Sequence, residues 1–380
     1  MIRFIHTSDW QLGMRRYYLS DETQARFAQE RIDAIRRLGE LARVHDAAFM
    51  VVAGDVYESN QVSEQTIRRS LAALGDVGVP VFLLPGNHDP LDPGSVFRGR
   101  VFTEGCPAHV HVLEDSTPLP VPGVAGVEVM GAPWFSKRPL SDLLQDALGL
   151  NDAPGETVRI AVAHGAVDVL SPDEHNPALI GLRAAEAAFA GGRVHYVALG
   201  DKHSTLSVGD SGRLWYSGAP VATDFREPKP NQALLVGIDG TSPPRVTELP
   251  TSDWRFMAET VVLNSADDVD AFEHRLDALD KPERTILRLS LEGTLNVAQK
   301  ARVDALLARA RDLFACVDVP GDKQDLAVMP DATDAETAGL SGYARDTWNA
   351  LAARAAEGGE DARVASDAVA LLYRLSEREG

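Results

Sequence analysis

Short apolar runs separated by longer amphipathic stretches organise the first 250 positions. Residues 2–5, 49–53 and 81–84 have the length and composition of buried strands. Between them, residues 25–45 place Phe27, Ile32, Ile35, Leu38 and Leu41 at helical spacing, and residues 63–76 read the same way. Both stretches predict helices that bury one face. Later apolar runs at 127–130, 158–163, 194–199, 214–216 and 233–238 predict strands joined by short turns. Helix–strand alternation that passes into strands predicts a layered α/β sandwich with mixed sheets.

The pattern restarts near Trp254. Residues 256–263, 285–291 and 315–319 read as strands, with helices at 266–279 and 297–313. That β-α-β-α-β order predicts a small α+β domain. Residues 323–340 are loop-like, with Pro330, Asp331 and Asp334, and two helices follow at 344–356 and 362–378. Trp348, Leu351, Leu371, Leu372 and Leu375 give these helices an apolar stripe, for packing on their own chain or for docking a partner. The expected division is 1–250, 251–322 and 323–380.

Length supports this division, because 380 residues exceed what one core normally serves. The net charge of −19 argues against a protein that coats nucleic acid. Residues 1–250 carry 31 acidic and 22 basic side chains, and 251–380 carry 25 and 15, so the C-terminal part is more negative per residue. A local basic path for a phosphate backbone remains open, through Arg15, Arg16, Lys202, Arg226 and Lys229 among others. Two distant cysteines, Cys106 and Cys316, and the lack of a signal-like start predict a cytoplasmic protein without disulfides. Its longest apolar runs are too short to cross a membrane.

Polar residues stand just beyond successive predicted strands. After Ile5 come Asp9 and Gln11, after Ala53 comes Gly54-Asp55, and after Leu84 comes Gly86-Asn87-His88-Asp89. After Ala163 comes His164-Gly165, and after Leu199 comes Gly200-Asp201-Lys202-His203. Singly, each is an ordinary turn or a hydrogen-bonded structural residue. Together they fall where α/β folds gather ligands, outside the C-terminal ends of strands. Imidazoles, carboxylates and amide oxygens in such a set suit two divalent ions about 3.5–4 Å apart around one shared carboxylate. They suit manganese, iron or zinc rather than calcium.

These five motifs resemble those of the calcineurin-like metallophosphoesterases. HTSDWQLG, AGDVYE and LPGNHDP are most similar to the SbcD-type DNA repair nucleases, the MRN-complex nuclease subunit included. The resemblance spans residues 1–240 and implies a four-layer αββα metallophosphoesterase sandwich. Residues 251–322 resemble the capping domain of that branch, and the C-terminal helical segment stands where some members bind a coiled-coil ATPase. By the same resemblance, Asp9 and His203 hold the first metal, Asp55 bridges, and Asn87 and His164 hold the second. His88 then contacts the scissile phosphate or protonates the leaving oxygen, and Asp89 orients it.

Two positions depart from the family pattern. Gln11 replaces the histidine of Asp-x-His, and Asp201 replaces the first histidine of Gly-His-x-His. Both are expected as ligands of a re-tuned site that has one more negative charge and two fewer imidazoles. A harder, more anionic site favours Mn²⁺, with Fe²⁺ or Zn²⁺ as alternatives. The expected function is a metal-dependent phosphodiesterase acting on DNA as exo- or endonuclease in repair, as a homodimer and with an SbcC-like ATPase as partner. One rival is a phosphodiesterase or phosphatase for a small nucleotide, which the acidic balance favours. The other is a weakly active scaffold for that ATPase, which the two replaced ligands favour. Arg15, Arg16 and Tyr17, with Tyr18, suit either contact with single-stranded nucleic acid or an ordinary exposed loop. Arg226 is a further candidate for phosphate contact, and His6 reads as a buried structural histidine.

Overall fold

The computed structural model describes residues 1–173, 175–240, 242–329, 340, 342–357 and 360–379. It divides into two units, Met1–Trp254 and Arg255–Gly380. The first unit begins β1 (Ile2–Thr7), α1 (Asp21–Val44), β2 (Phe49–Val52), α2 (Glu64–Gly75), β3 (Val81–Leu83), α3 (Arg100–Gly105) and β4 (Val110–Val112). It continues β5 (Leu119–Pro120), β6 (Val127–Ala132), α4 (Leu143–Leu150), β7 (Val158–His164), α5 (Leu182–Ala190) and β8 (Tyr196–Gly200). It ends β9 (Leu206–Val208), β10 (Leu214–Tyr216), β11 (Gln232–Ile238) and β12 (Arg245–Pro250).

Two six-stranded sheets result, in the orders β12-β11-β1-β2-β3-β4 and β5-β6-β7-β8-β10-β9. In the first sheet β1 to β4 are parallel, with β11 and β12 antiparallel at one edge; in the second β6, β7, β8 and β10 are parallel, with β5 and β9 antiparallel at the two edges. Successive side chains leave a strand on opposite faces, and this alternation builds the layers. Phe4, Phe49, Val51 and Phe82 meet Val129, Ile160, Val162 and Tyr196 in one core. Their neighbours Ile5, Met50, Val52 and Val81 pack under α1, α2 and α3. On the other sheet, Met130, Ala161, Val197 and Leu199 pack under α4 and α5. The unit is therefore a four-layer αββα sandwich with mixed sheets, and strands buried on both faces read as continuous apolar runs.

Helix α1 starts before its apolar stripe because Ser20 caps it, accepting from the Thr23 N–H, a contact worth about 1 kcal/mol. Between residues 127 and 200 the expectation of short turns fails, while β8, β9 and β10, and β11 and β12, are joined by short turns as expected. Parallel strands need crossovers, and α4 and α5 supply them as short segments, LLQDALGL and LRAAEAAFA, too brief to show a clear period.

The second unit runs β13 (Arg255–Leu263), α6 (Ala266–Asp277), β14 (Thr285–Asn296), α7 (Val297–Leu313), β15 (Cys316–Asp318), β16 (Asp325–Met329), α8 (Gly342–Ala356) and α9 (Glu360–Glu379). Its strands are all parallel, with β14 pairing β13, β15 and β16. Asn296 ends β14 and at once caps α7 through a reciprocal bond with Gln299. The loop expected over 323–340 is corrected in part, because β16 extends the sheet there. Residues 330–339, with Pro330, Asp331 and Asp334, lie outside the described residues, as do Gly358 and Gly359 of the helix joint. Trp348, Val369 and Tyr373 are buried with Leu340, and Thr294 Oγ1 donates to the Ala370 carbonyl at 3.0 Å. The terminal helices thus pack on the sheet of their own unit, while Leu371 and Leu375 stay exposed. Among the described residues no helix is long and apolar enough to cross a membrane, and both cysteines are free.

Candidate metal centre

The C-terminal ends of β1, β2 and β3 lie beside those of β7 and β8, and backbone bonds tie them together. Asp9 N–H donates to Gly54 O at 3.0 Å, Gln11 N–H to Asp55 O at 2.9 Å, and Gly165 N–H to Gly200 O at 3.2 Å. The chain turns sharply here. Asp9, Gln11, Asp55 and Asp201 have φ of +54°, +44°, +53° and +98°. Each such left-handed residue costs on the order of 1 kcal/mol or more, a cost that concentrates at functional sites. Two glycines make room. A Cβ on Gly54 (φ +91°) would stand 2.2 Å from His164 Nδ1, and one on Gly86 would stand 2.2 Å from Asp55 Oδ1.

Asp9, Asp55 and His164 are buried, with ligand atoms within 4.8 Å of one another. His164 Nδ1–H donates to the Ala53 carbonyl at 2.8 Å. Its Nε2 therefore faces Asn87 Oδ1 at 2.7 Å and Asp55 Oδ1 at 3.4 Å. Burial alone would lower the His164 pKa, but Asp55, Asp9 and Asp201 outweigh it and hold it well above the usual histidine value. Asp55 stays below the usual carboxylate range, because His164 and His88 overcome its burial.

Beside Asp9, Gln11 Nε2 lies 3.1 Å from His203 Nε2, which lies 3.7 Å from Asp9 Oδ1. His203 Nδ1 bonds Glu227 Oε1 at 2.8 Å, with Thr223 Oγ1 at 2.7 Å. Burial opposes the charged ring, yet Glu227 and Asp9 raise the His203 pKa. Burial also pushes the Asp9 carboxyl up, against the pull of His203 and His164. Ser8 Oγ donates to Asp9 Oδ2 at 2.5 Å. Asp201 enters this cluster through its backbone: its N–H lies 3.2 Å from both Asp9 carboxylate oxygens. Its carboxylate is outside the Asp9–Asp55–His164 triad but close enough to raise His164.

His88 follows the same turn, its N–H donating to Asp55 Oδ1 at 3.0 Å. Its ring is set by the Glu58 carbonyl, which takes Nδ1–H at 2.9 Å and leaves Nε2 4.0 Å from Asp55 Oδ2. The expectation that Asp89 orients His88 is therefore corrected. The Asp89 carboxylate accepts instead from the N–H groups of Tyr57 at 2.9 Å and Gly86 at 2.8 Å, so it shapes the loop that carries Asn87 and His88. Burial, with Asp55 nearby, pushes its pKa up to about 7.

A cleft of about 560 Å³ opens beside Asp201 and His203 and reaches Arg16 and Arg226. Arg16 donates to the Thr223 carbonyl through Nε at 3.2 Å and a terminal nitrogen at 2.6 Å. Arg226 is exposed and paired with Asp224 at 3.3 Å. Arg15 is exposed, and Tyr17, 96% exposed, stacks edge-on against Tyr18. A larger hollow, about 750 Å³ between α4 and α5, shares none of these residues. His6 is structural: it bonds Tyr196 Oη and the Leu199 carbonyl, and burial drives its pKa down to about 3.

Sequence reasoning missed Glu227 and Arg31. Glu227 holds His203, and also bonds the Thr223 N–H and hydroxyl. Arg31 is buried in α1, donates to the Trp10 carbonyl at 2.8 Å and the Ala222 carbonyl at 3.3 Å, and is pulled down to about 10 by burial. A signal for Arg31 was present, a charged residue four positions from Phe27 and from Ile35 on an apolar helix face.

These residues fit two divalent ions. Ligand atoms sharing one ion at about 2.1 Å stand about 3 Å apart when adjacent. The pairs at 2.7 and 3.4 Å around His164 are close to that spacing, the His203–Asp9 pair at 3.7 Å is somewhat wider, and Asp9 and Asp55 lie within 4.8 Å of each other with His164. Among the described residues Gln11 Oε1 is buried without a hydrogen-bond partner, an oxygen that a cation would satisfy.

Similarity to known proteins agrees with this geometry. The SbcD component of the nuclease SbcCD from Bacillus subtilis strain 168 is 27% identical over 255 residues, 60% of this chain and 63% of that protein. Its namesake in Rhodobacter capsulatus is 27% identical over 296 residues, 66% of this chain and 69% of that protein. The DNA double-strand break repair protein Mre11 of Haloferax volcanii is 33% identical over 92 residues, 23% of this chain and 20% of that protein. The chain thus spans less than two thirds of the first of these relatives. Purple acid phosphatase PPD1 from yellow lupin seeds aligns with 66% of this chain and 52% of its own, at 12% identity and a TM-score of 0.41, too loose a likeness to carry an argument. Residues 2–231 match the calcineurin-like phosphoesterase family. That match covers more than half of the sequence and all five strand-end motifs, and the chain belongs to the calcineurin-like phosphoesterases.

Proposed function

We propose that this protein is a two-metal phosphodiesterase that cleaves DNA, as exo- or endonuclease in repair, with Mn²⁺ as its working ion. The observation that carries this reading is the buried cluster of Asp9, Asp55 and His164, with Asn87 beside His164 and with His203 and Gln11 beside Asp9, which supports one ion on each side of Asp55. Asp201 joins the His164 side through its carboxylate. Relatives named for the SbcCD nuclease and for double-strand break repair supply the substrate class. Divalent ions held there supply Lewis-acid polarisation of a phosphodiester and activation of a water nucleophile.

The chain's own residues do the rest. His88, its Nδ1–H fixed on Glu58 O, presents Nε2 at the edge of the site, where it meets the phosphate and passes a proton to the departing oxygen. Asp89 keeps the turn in place by binding Gly86 and Tyr57. Arg16 and Arg226 line the cleft beside His203, where cationic side chains neutralise a phosphate backbone, and Arg15 and Tyr17 extend this surface for a single strand. The second unit acts as a cap, and its terminal helices, with Leu371 and Leu375 outward, serve a coiled-coil ATPase partner. A homodimer belongs to the same reading.

The test is Mn²⁺-dependent cleavage of end-labelled single- and double-stranded DNA, run beside bis-(p-nitrophenyl) phosphate with His88→Ala as control. The proposal expects both substrates to be cut by the wild type and spared by the variant. Cleavage of the small diester alone would make the substrate a small nucleotide. No cleavage with Mn²⁺, Fe²⁺ or Zn²⁺ would leave the chain a scaffold.

A further inference from the structure

Resting on the two-ion reading above, we infer that Gln11 makes the centre unequal. The position beside Asp9 and His203 takes its ion after, and more weakly than, the position beside Asn87 and His164. The inference stands on the surroundings of the Gln11 amide. Its Nε2–H donates to His203 Nε2 at 3.1 Å, while its Oε1 is buried with no partner.

The His203 ring is fixed from behind. Its Nδ1–H is committed to Glu227 Oε1 at 2.8 Å, and Glu227 is itself held by the Thr223 N–H at 2.8 Å. The Nε2 lone pair therefore points at Gln11, and the amide N–H occupies the direction that a cation needs. For Gln11 to serve as a ligand, the amide must turn about its Cγ–Cδ bond, bring Oε1 forward and give up the His203 bond. The backbone offers no other route. Gln11 is 2% exposed, holds φ of +44°, donates N–H to Asp55 O and accepts from the Met14 N–H.

Among the described residues nothing comparable guards the other position. His164 Nε2 faces two acceptors, Asn87 Oδ1 and Asp55 Oδ1, and its Nδ1–H is committed to Ala53 O. A cation entering there meets two oxygens already aimed at the same point, and no side chain has to turn. A lost hydrogen bond on one side, together with a neutral amide in place of a stronger ligand, sets a gap of at least about tenfold in Kd. Gln11 is thus a device that orders metal loading, and assembly of the complete pair responds to ion concentration over a range where the first position is already full.

Titration calorimetry of the full chain with Mn²⁺, with electron paramagnetic resonance on the same samples, tests this. The expected result is two binding steps at least about tenfold apart, with an isolated-ion signal after the first equivalent and an exchange-coupled pair after the second. Gln11→His and Gln11→Glu each keep a ligand and remove the amide donor. Both should tighten the second step by about tenfold or more and leave the first within about twofold. Binding of two ions in a single step by the wild type, or variants that move the first step as much as the second, would overturn the inference. The wild-type titration decides the first point even where a variant fails to fold. Two unequal steps without cleavage of any phosphodiester would keep this inference and sink the nuclease reading. Cleavage with one indivisible binding step would do the reverse.

Discussion

The two sides of the centre are built from the same material, tight left-handed turns after parallel strands, yet they treat their imidazoles in opposite ways. His164 is fully buried, anchored by a backbone carbonyl, and surrounded by oxygen atoms that only a proton or a cation can satisfy. His203 is a quarter exposed, anchored by the Glu227 carboxylate, and already capped by the Gln11 amide. The first arrangement demands positive charge. The second has a neutral alternative in the amide it already holds. Affinity at such a site thus depends on what the ligands do with one another as well as on which ligands are present.

The comparison breaks most completely at its hinge. Asp55→Asn removes the charge both sides share and should lower bis-(p-nitrophenyl) phosphate hydrolysis by on the order of 10³-fold or more, with both Mn²⁺ binding steps weakened together. His88→Ala should cut kcat by about 10²–10⁴-fold while both binding steps stay put, because the ring faces the site without closing either ligand group. Calorimetry beside steady-state rates separates these outcomes. If His88→Ala abolishes binding instead, the ring is a ligand and its assigned role is wrong.

Glu227→Gln sharpens the comparison. The amide can no longer hold His203 as an anion does, so the weaker step should lose about 10–100-fold in affinity and the tighter step should not move. Acid should act on both sides, with different onsets. Protons and metal compete for Nε2, so affinity falls as pH drops below each folded pKa, by up to about tenfold per unit per displaced proton. Asp55, Asp9 and Asp201 hold His164 well above the ordinary histidine value, whereas His203 is raised. The tighter step should therefore weaken first as pH is lowered, which binding isotherms from about pH 8 down to about pH 6 would reveal. Arg226→Ala should have the smallest effect. An exposed cation already paired with Asp224 should change DNA affinity only a few-fold and reduce the salt slope by about one, in filter binding across salt concentrations.

Much of this was legible in sequence. Buried parallel strands are continuous apolar runs, so β1, β2, β3, β7 and β8 and the polar turns after them could be read directly. Asp9, Asp55, Asn87, His164 and His203 follow from those turns, because a strand's direction fixes which end its ligands leave. The short crossovers α4 and α5 and the strand β16 were not legible, since eight, nine and five residues carry too little pattern to tell helix, strand and loop apart. Nor could sequence show how side chains would share one another's bonds. It put Asp89 next to His88, but the carboxylate turns to backbone N–H groups and a carbonyl of Glu58 sets the ring. It put Glu227 24 residues from His203, and only folding made them partners. Local pattern determined which residues reach the centre, because it depends on neighbours along the chain. The pairing of Gln11 with His203, 192 residues apart, belongs to the tertiary structure, because a hydrogen bond is decided by distance and direction in space.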